Sequence, residues 1–193
     1  MELIYHFLFD PVSSIREIKK VRPCLLAGSI VILATVSGTI GNLLVTGLAP
    51  DIAKISLTLG LVIKLISIFL LWLIFTSILH FIAEGLKGEG EVSSLFISLG
   101  FSFIPGILLT PLALISHIFG PLKVFIYLLF GVIILIWIVI LQVLALKETY
   151  QLSYGKACLA FVIPICIGGI SLFVLGILSL LTLISFIDSL LSF

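Results

Sequence analysis

The sequence predicts an all-α integral membrane protein: a bundle of five transmembrane helices preceded by a short amphipathic helix. Three observations carry this. Of 193 residues, 62% are hydrophobic and 10% are charged, whereas a soluble domain is about a quarter charged. Mean hydropathy is +1.46. The apolar residues also fall in long runs nearly free of Asp, Glu, Lys and Arg. Each run reaches the ~20 residues that a bilayer-spanning helix needs. The formal net charge of +1 gives no reason to expect nucleic acid as a partner.

Residues 1–23 are expected to form a cytoplasmic segment. Asp10 before Pro11 reads as an N-cap acceptor followed by proline at the first helical position. Val12, Ile15, Ile18 and Val21 then recur at helical spacing, with Arg16, Lys19 and Lys20 opposite and Arg22 at the end. Such a helix suits a membrane surface, its basic residues against anionic lipid. The simpler reading is a topology anchor. A cleaved signal peptide is not expected, because a polar segment precedes a long apolar run.

Residues 24–193 form the transmembrane domain, with spans near 24–48, 57–83, 92–117, 123–146 and 157–187. The third and fifth runs are longer than a bilayer requires and contain proline: Pro105 and Pro111, with Gly106, in the third, and Pro164 in the fifth. Proline removes a backbone donor and frees a carbonyl about one turn back. Ser102, Thr110 or a neighbouring helix are expected to satisfy the freed groups. Either run is thus a kinked span or contains a re-entrant hairpin. A bent third helix leaves a groove beside it that suits a lipid tail; the plainer reading is a kink that shapes the bundle.

Basic residues orient the chain. Arg16, Lys19, Lys20, Arg22, Lys87, Lys147 and Lys156 fall on one side, against Lys54, Lys64 and Lys123 on the other. The N-terminus is therefore expected in the cytoplasm and the C-terminus outside.

Few groups suggest chemistry. The loop after the second span carries Glu84, Lys87, Gly88, Glu89, Gly90 and Glu91. Its glycines do not have the spacing of a phosphate loop. It reads as a flexible turn or as a docking loop for a basic partner surface. His80 and Glu84 stand four apart on a helix and can pair. No metal site is expected, since zinc needs three or four converging ligands. Lys64 is the one cation within a span; it is expected to snorkel or pair, or to serve transport. Cys24, Cys158 and Cys166 read as small packing residues. Ala34 with Gly38, Ser37 with Gly41, and Gly169 with Gly176 offer close-packing surfaces, within the bundle or between copies. Neither a catalytic group nor a cofactor is expected.

Three stretches, FDPVSSIREI (9–18), GEGEVSSLFISLGFSFIPGILLTPL (88–112) and KETYQLSYGKACLAFVIP (147–164), resemble the Yip domain family, the Ypt/Rab-interacting membrane proteins, in its prokaryotic form. The resemblance covers nearly the whole chain. It implies five spans, a cytoplasmic N-terminus, a glycine before the third helix (Gly88 or Gly90) and a proline near its middle (Pro105). Eukaryotic relatives are implicated in vesicle traffic and in binding prenylated small GTPases through a longer N-terminal region. The expectation is a non-enzymatic adaptor or membrane-organising protein, holding a lipid or a lipidated partner beside the kinked third helix. Its partners would be the bilayer and a further membrane or cytoplasmic protein, or a second copy. A small transporter or channel subunit is the alternative.

Overall fold

The computed structural model describes residues 7, 11–47 and 53–191; Asp10, expected as an N-cap, lies outside them. The described residues are helical apart from short connections. In order they form α1 (Pro11–Val21), α2 (Cys24–Thr46), α3 (Ala53–Gly85), α4 (Val92–Phe101), a 3₁₀ segment (Ile104–Leu108), α5 (Leu109–Ser116), a second 3₁₀ segment (His117–Leu122), α6 (Lys123–Tyr150) and α7 (Tyr154–Leu191).

Helix ends follow local chemistry. α3 ends in a Schellman motif: Gly88 N–H bonds to Ala83 O and Lys87 N–H to Glu84 O, with Lys87 left-handed at φ 63°. α6 ends the same way at Gln151 (φ 54°), where Leu152 N–H bonds to Lys147 O and the Leu152 side chain is buried. Arg22, at φ 49°, turns the chain from α1 into Pro23 and α2.

Among the described residues, four helical runs are long and apolar enough to cross a membrane: Cys24–Thr46, Thr58–Gly85, Val92–Tyr150 and Tyr154–Ser179. The third, at 59 residues, far exceeds one crossing. It folds back at Gly120, whose φ of 54° and ψ of −119° only glycine adopts readily. Its two arms are Val92–Ser116 and Lys123–Tyr150. Their open ends meet where Glu89 N–H bonds to Tyr150 O at 3.2 Å.

Pairings fix the direction of the first arm. Arg22 meets Glu91, Ala27 approaches Gly100 and Ala34 approaches Gly106. Ser37 bonds Thr110 and Leu44 bonds His117. The arm thus runs parallel to α2 along its length. The 3₁₀ segment changes the helix type without reversing the chain, as a kinked pass rather than a hairpin. α3 is antiparallel to α2, since Lys64 reaches Thr39 while Trp72 and Ala27 meet over Gly100. α7 returns antiparallel to α3, with Phe161 against Phe75 and Lys156 bonded to Leu86 O.

Small residues allow these close approaches. A Cβ at Gly100 would lie 2.6 Å from the Trp72 ring and 2.9 Å from Ala27. One at Gly41 would lie 2.7 Å from the Tyr127 hydroxyl. In lipid, where no water drives helices together, such packing is the main cohesive term. Ala34, Ser37, Gly38 and Gly41 therefore face the first arm within the bundle, whereas Gly169 and Gly176 have open space beside them. The three cysteines are exposed, on the bundle's outside rather than in its packing.

Both prolines of the first arm sit where a break costs little. Pro105 opens the 3₁₀ segment. Pro111 lies in the first turn of α5, where its fixed φ suits the helix but its missing N–H leaves Ile107 O without the donor four residues on. The carbonyl four residues before Pro111, Ile107 O, instead accepts from the Ser37 hydroxyl at 2.7 Å. The neighbouring helix supplies the hydrogen bond that proline removed. Ser102 turns back on its own helix, donating to Ser98 O. α7 passes through Pro164 without interruption.

Candidate functional site

Among the described residues, most of the charged side chains gather at one end of the bundle, where α1, the α3–α4 loop and the α6–α7 turn converge. α1 does not lie flat with its apolar face on lipid. Ile15 and Ile18 are fully buried, within the same cluster as Leu95, Ala145 and Leu146. Phe7 packs on Phe101 with ring centroids 5.5 Å apart.

The opposite face of α1 works electrostatically. Lys19 Nζ donates to Glu148 O at 2.9 Å and Thr149 O at 2.8 Å. These are among the last carbonyls of α6, which have no helical donor and carry the negative end of the helix dipole. Lys156 Nζ does the same for α3, donating to Leu86 O at 3.1 Å. Arg22 pairs with Glu91 across the mouth of the α3–α4 loop. Of the expected surface cations, Lys19 and Arg22 are therefore engaged with protein. Arg16 and Lys20 lie on the same helix.

Tyr150 is the centre of this cap. It is 1% exposed, and its ring is the floor on which the loop glycines rest. A Cβ at Gly90 would lie 2.7 Å from Thr149 O and 2.8 Å from the Tyr150 ring; one at Gly88 would lie 2.9 Å from Tyr150 Cβ. The Tyr150 hydroxyl is 2.6 Å from His80 Nδ1, and His80 Nε2 is 3.5 Å from Glu84. The loop 84–91 is thus clamped at Glu84, Gly88, Gly90 and Glu91. Lys87 and Glu89 remain exposed at its tip. Beside it, Lys147 pairs with Glu148 at 2.7 Å and lies 4.2 Å from the centre of the Tyr154 ring. Neither Tyr150 nor the Lys19 cap is visible in the sequence, because both depend on contacts across 70 to 130 positions.

The other expected positions lie elsewhere. Pro105 and Gly106 are buried, and Gly106 faces Ala34 and Ile138. Pro111 is exposed and Pro164 half-buried. Hollows do flank the first arm, with other linings. One of about 440 Å³ includes Arg22, Thr76, Ser77, Ser93 and Phe96. Another of about 270 Å³ is lined by Trp72, Phe75, Phe103 and Gln142, the last a buried amide on α6. Lys64 Nζ donates to the Thr39 hydroxyl at 3.0 Å and is exposed near the far end of the bundle. Among the described residues, no three His, Cys, Asp or Glu side chains converge on a point.

A family model, the Yip1 domain, matches residues 5–188. No curated protein and no solved structure matches.

Proposed function

Since the chain belongs to the Yip1 domain family, we propose that it is a non-enzymatic, five-crossing membrane adaptor or membrane-organising protein. Its capped end faces the cytoplasm and is the docking face. The observation that carries this is the construction of that end. Three chain segments distant in sequence are locked there by Lys19, Tyr150 and the Arg22–Glu91 pair. The lock holds Lys87 and Glu89 out on a short, ordered loop. A loop serving only as a connection needs no such clamp. The basic residues of the cap agree with a cytoplasmic placement. The hollows beside the first arm are the places for a lipid tail.

The test is extraction of the tagged protein into native-lipid nanodiscs, followed by mass spectrometry of co-purifying proteins. The comparison is a Lys87→Glu/Glu89→Lys variant. A stoichiometric partner present with the parent and lost with the variant supports the reading. Identical co-purification from both would overturn the docking face. Solute flux in proteoliposomes that disappears in Lys64→Leu would replace the adaptor with a transporter.

A further inference from the structure

The hollow of about 440 Å³ lies at the capped end, between α3 and the start of α4. Its lining is Leu73, Thr76, Ser77, Val92, Phe96 and Ile97, with Arg22, Cys24 and Ser93 at the mouth. Its volume falls in the range of about 300–1,000 Å³ that holds small ligands. Leu73 and Val92 on its rim are exposed, so it opens sideways from the bundle, toward lipid. Its inner wall is apolar. The Thr76 and Ser77 hydroxyls are turned back onto the carbonyls of Trp72 and Leu73 and leave no donor pointing inward. That chemistry suits a hydrocarbon chain.

The mouth is different. Arg22 and Glu91 meet there as an ion pair, with side chains 52% and 61% exposed. The Ser93 hydroxyl lies 3.4 Å from the same Glu91 oxygen. Arg22 and Ser93 line the mouth and Glu91 stands beside it as their shared partner; together they present one cation, one hydroxyl and one anion, with no net charge. An anionic headgroup would meet Glu91 as a like charge. A headgroup carrying both a phosphate and a primary amine complements the pair: phosphate to Arg22 and Ser93, ammonium to Glu91. Charge-assisted hydrogen bonds of this kind are the strong ones.

We propose that this hollow is a binding site for a zwitterionic, amine-bearing phospholipid of the phosphatidylethanolamine class. One acyl chain fills the space between Leu73, Ser77 and Phe96, and the headgroup bridges Arg22 and Glu91. The proposal rests on the reading that hollows beside the first arm hold lipid tails, and it names which hollow and which lipid.

The test uses the full chain in proteoliposomes containing phosphatidylethanolamine with a photoreactive diazirine on one acyl chain. Adducts are mapped by peptide mass spectrometry. Phosphatidylethanolamine and phosphatidylglycerol serve as unlabelled competitors. The expected result is an adduct concentrated on residues 73–77 and 92–97, displaced by phosphatidylethanolamine at a concentration about tenfold lower than by phosphatidylglycerol. Ser77→Phe fills the hollow from a position outside the ion pair and should abolish the adduct. Glu91→Gln should remove the preference between the two competitors while keeping the adduct. Circular dichroism and thermal melting of both variants establish that they fold. Two results would overturn the proposal. Adducts spread evenly over exposed apolar positions, including those of α7, would also remove the lipid-tail reading. Adducts concentrated instead at the Trp72–Gln142 hollow would leave that reading standing and place the lipid elsewhere.

Discussion

Gly90 shows how much of the capped end depends on a single missing Cβ. The added atom in Gly90→Ala would sit 2.7 Å from Thr149 O and 2.8 Å from the Tyr150 ring. Backbone on one side and a fully buried ring on the other leave little room to yield. Overpacking of this kind costs about 1–3 kcal/mol. Gly85, five residues earlier, has nothing within 4 Å and lies in the last turn of α3. Gly85→Ala should be neutral or stabilise by up to about 1 kcal/mol. Thermal melts of the two variants in one detergent check the pair. Gly90→Ala should lower the melting temperature and Gly85→Ala should not; equal shifts would mean that the loop is not seated on Tyr150.

At the scale of elements, the first arm of the hairpin is a helix broken and mended by its neighbour. Pro111 cannot donate to Ile107 O, and Ser37 on α2 does so instead. The same hydroxyl accepts from Thr110 N–H at 3.0 Å, while Thr110 Oγ1 donates to Ser37 O at 2.9 Å. Ser37→Ala should therefore destabilise by about 1–3 kcal/mol, the cost of leaving buried backbone groups unpaired. Pro111→Ala restores an N–H that can serve Ile107 O. In that background Ser37→Ala should cost less, by roughly 1 kcal/mol. A double-mutant cycle in melting free energy measures the difference. A zero coupling term would show that the hydroxyl does not stand in for the lost donor.

This arm also marks where sequence reasoning reached and where it stopped. Proline content and run length exposed an irregular third pass, because both are local properties of the chain. The identity of the mending group was not local. Ser37 lies 70 positions from Ile107, and Ser102, the nearer candidate, bonds its own helix. α1 follows the same pattern. The spacing of Ile15 and Ile18 gave its apolar face. Whether lipid or protein covers that face depended on the α4 and α6 surfaces that the fold brings beneath it. Tyr150 carried no signal, since a buried tyrosine at a helix end looks like an interfacial aromatic.

At the scale of the whole molecule, the pairings along the passes place α1, the α3–α4 loop and the α6–α7 turn at one end, with Gly47 and Gly120 at the other. The reading as a cytoplasmic docking protein requires the capped end to face inward as a unit. The most direct measurement is single-cysteine labelling with a membrane-impermeant maleimide on intact cells, in a background where Cys24, Cys158 and Cys166 are serine. Ser13, Lys87 and Gln151 report the capped end, and Thr46 and Ile118 the far end. Cysteines at 46 and 118 should label in intact cells. Those at 13, 87 and 151 should label only after permeabilisation. Labelling of 87 or 151 from outside would rule out a capped end that faces the cytoplasm.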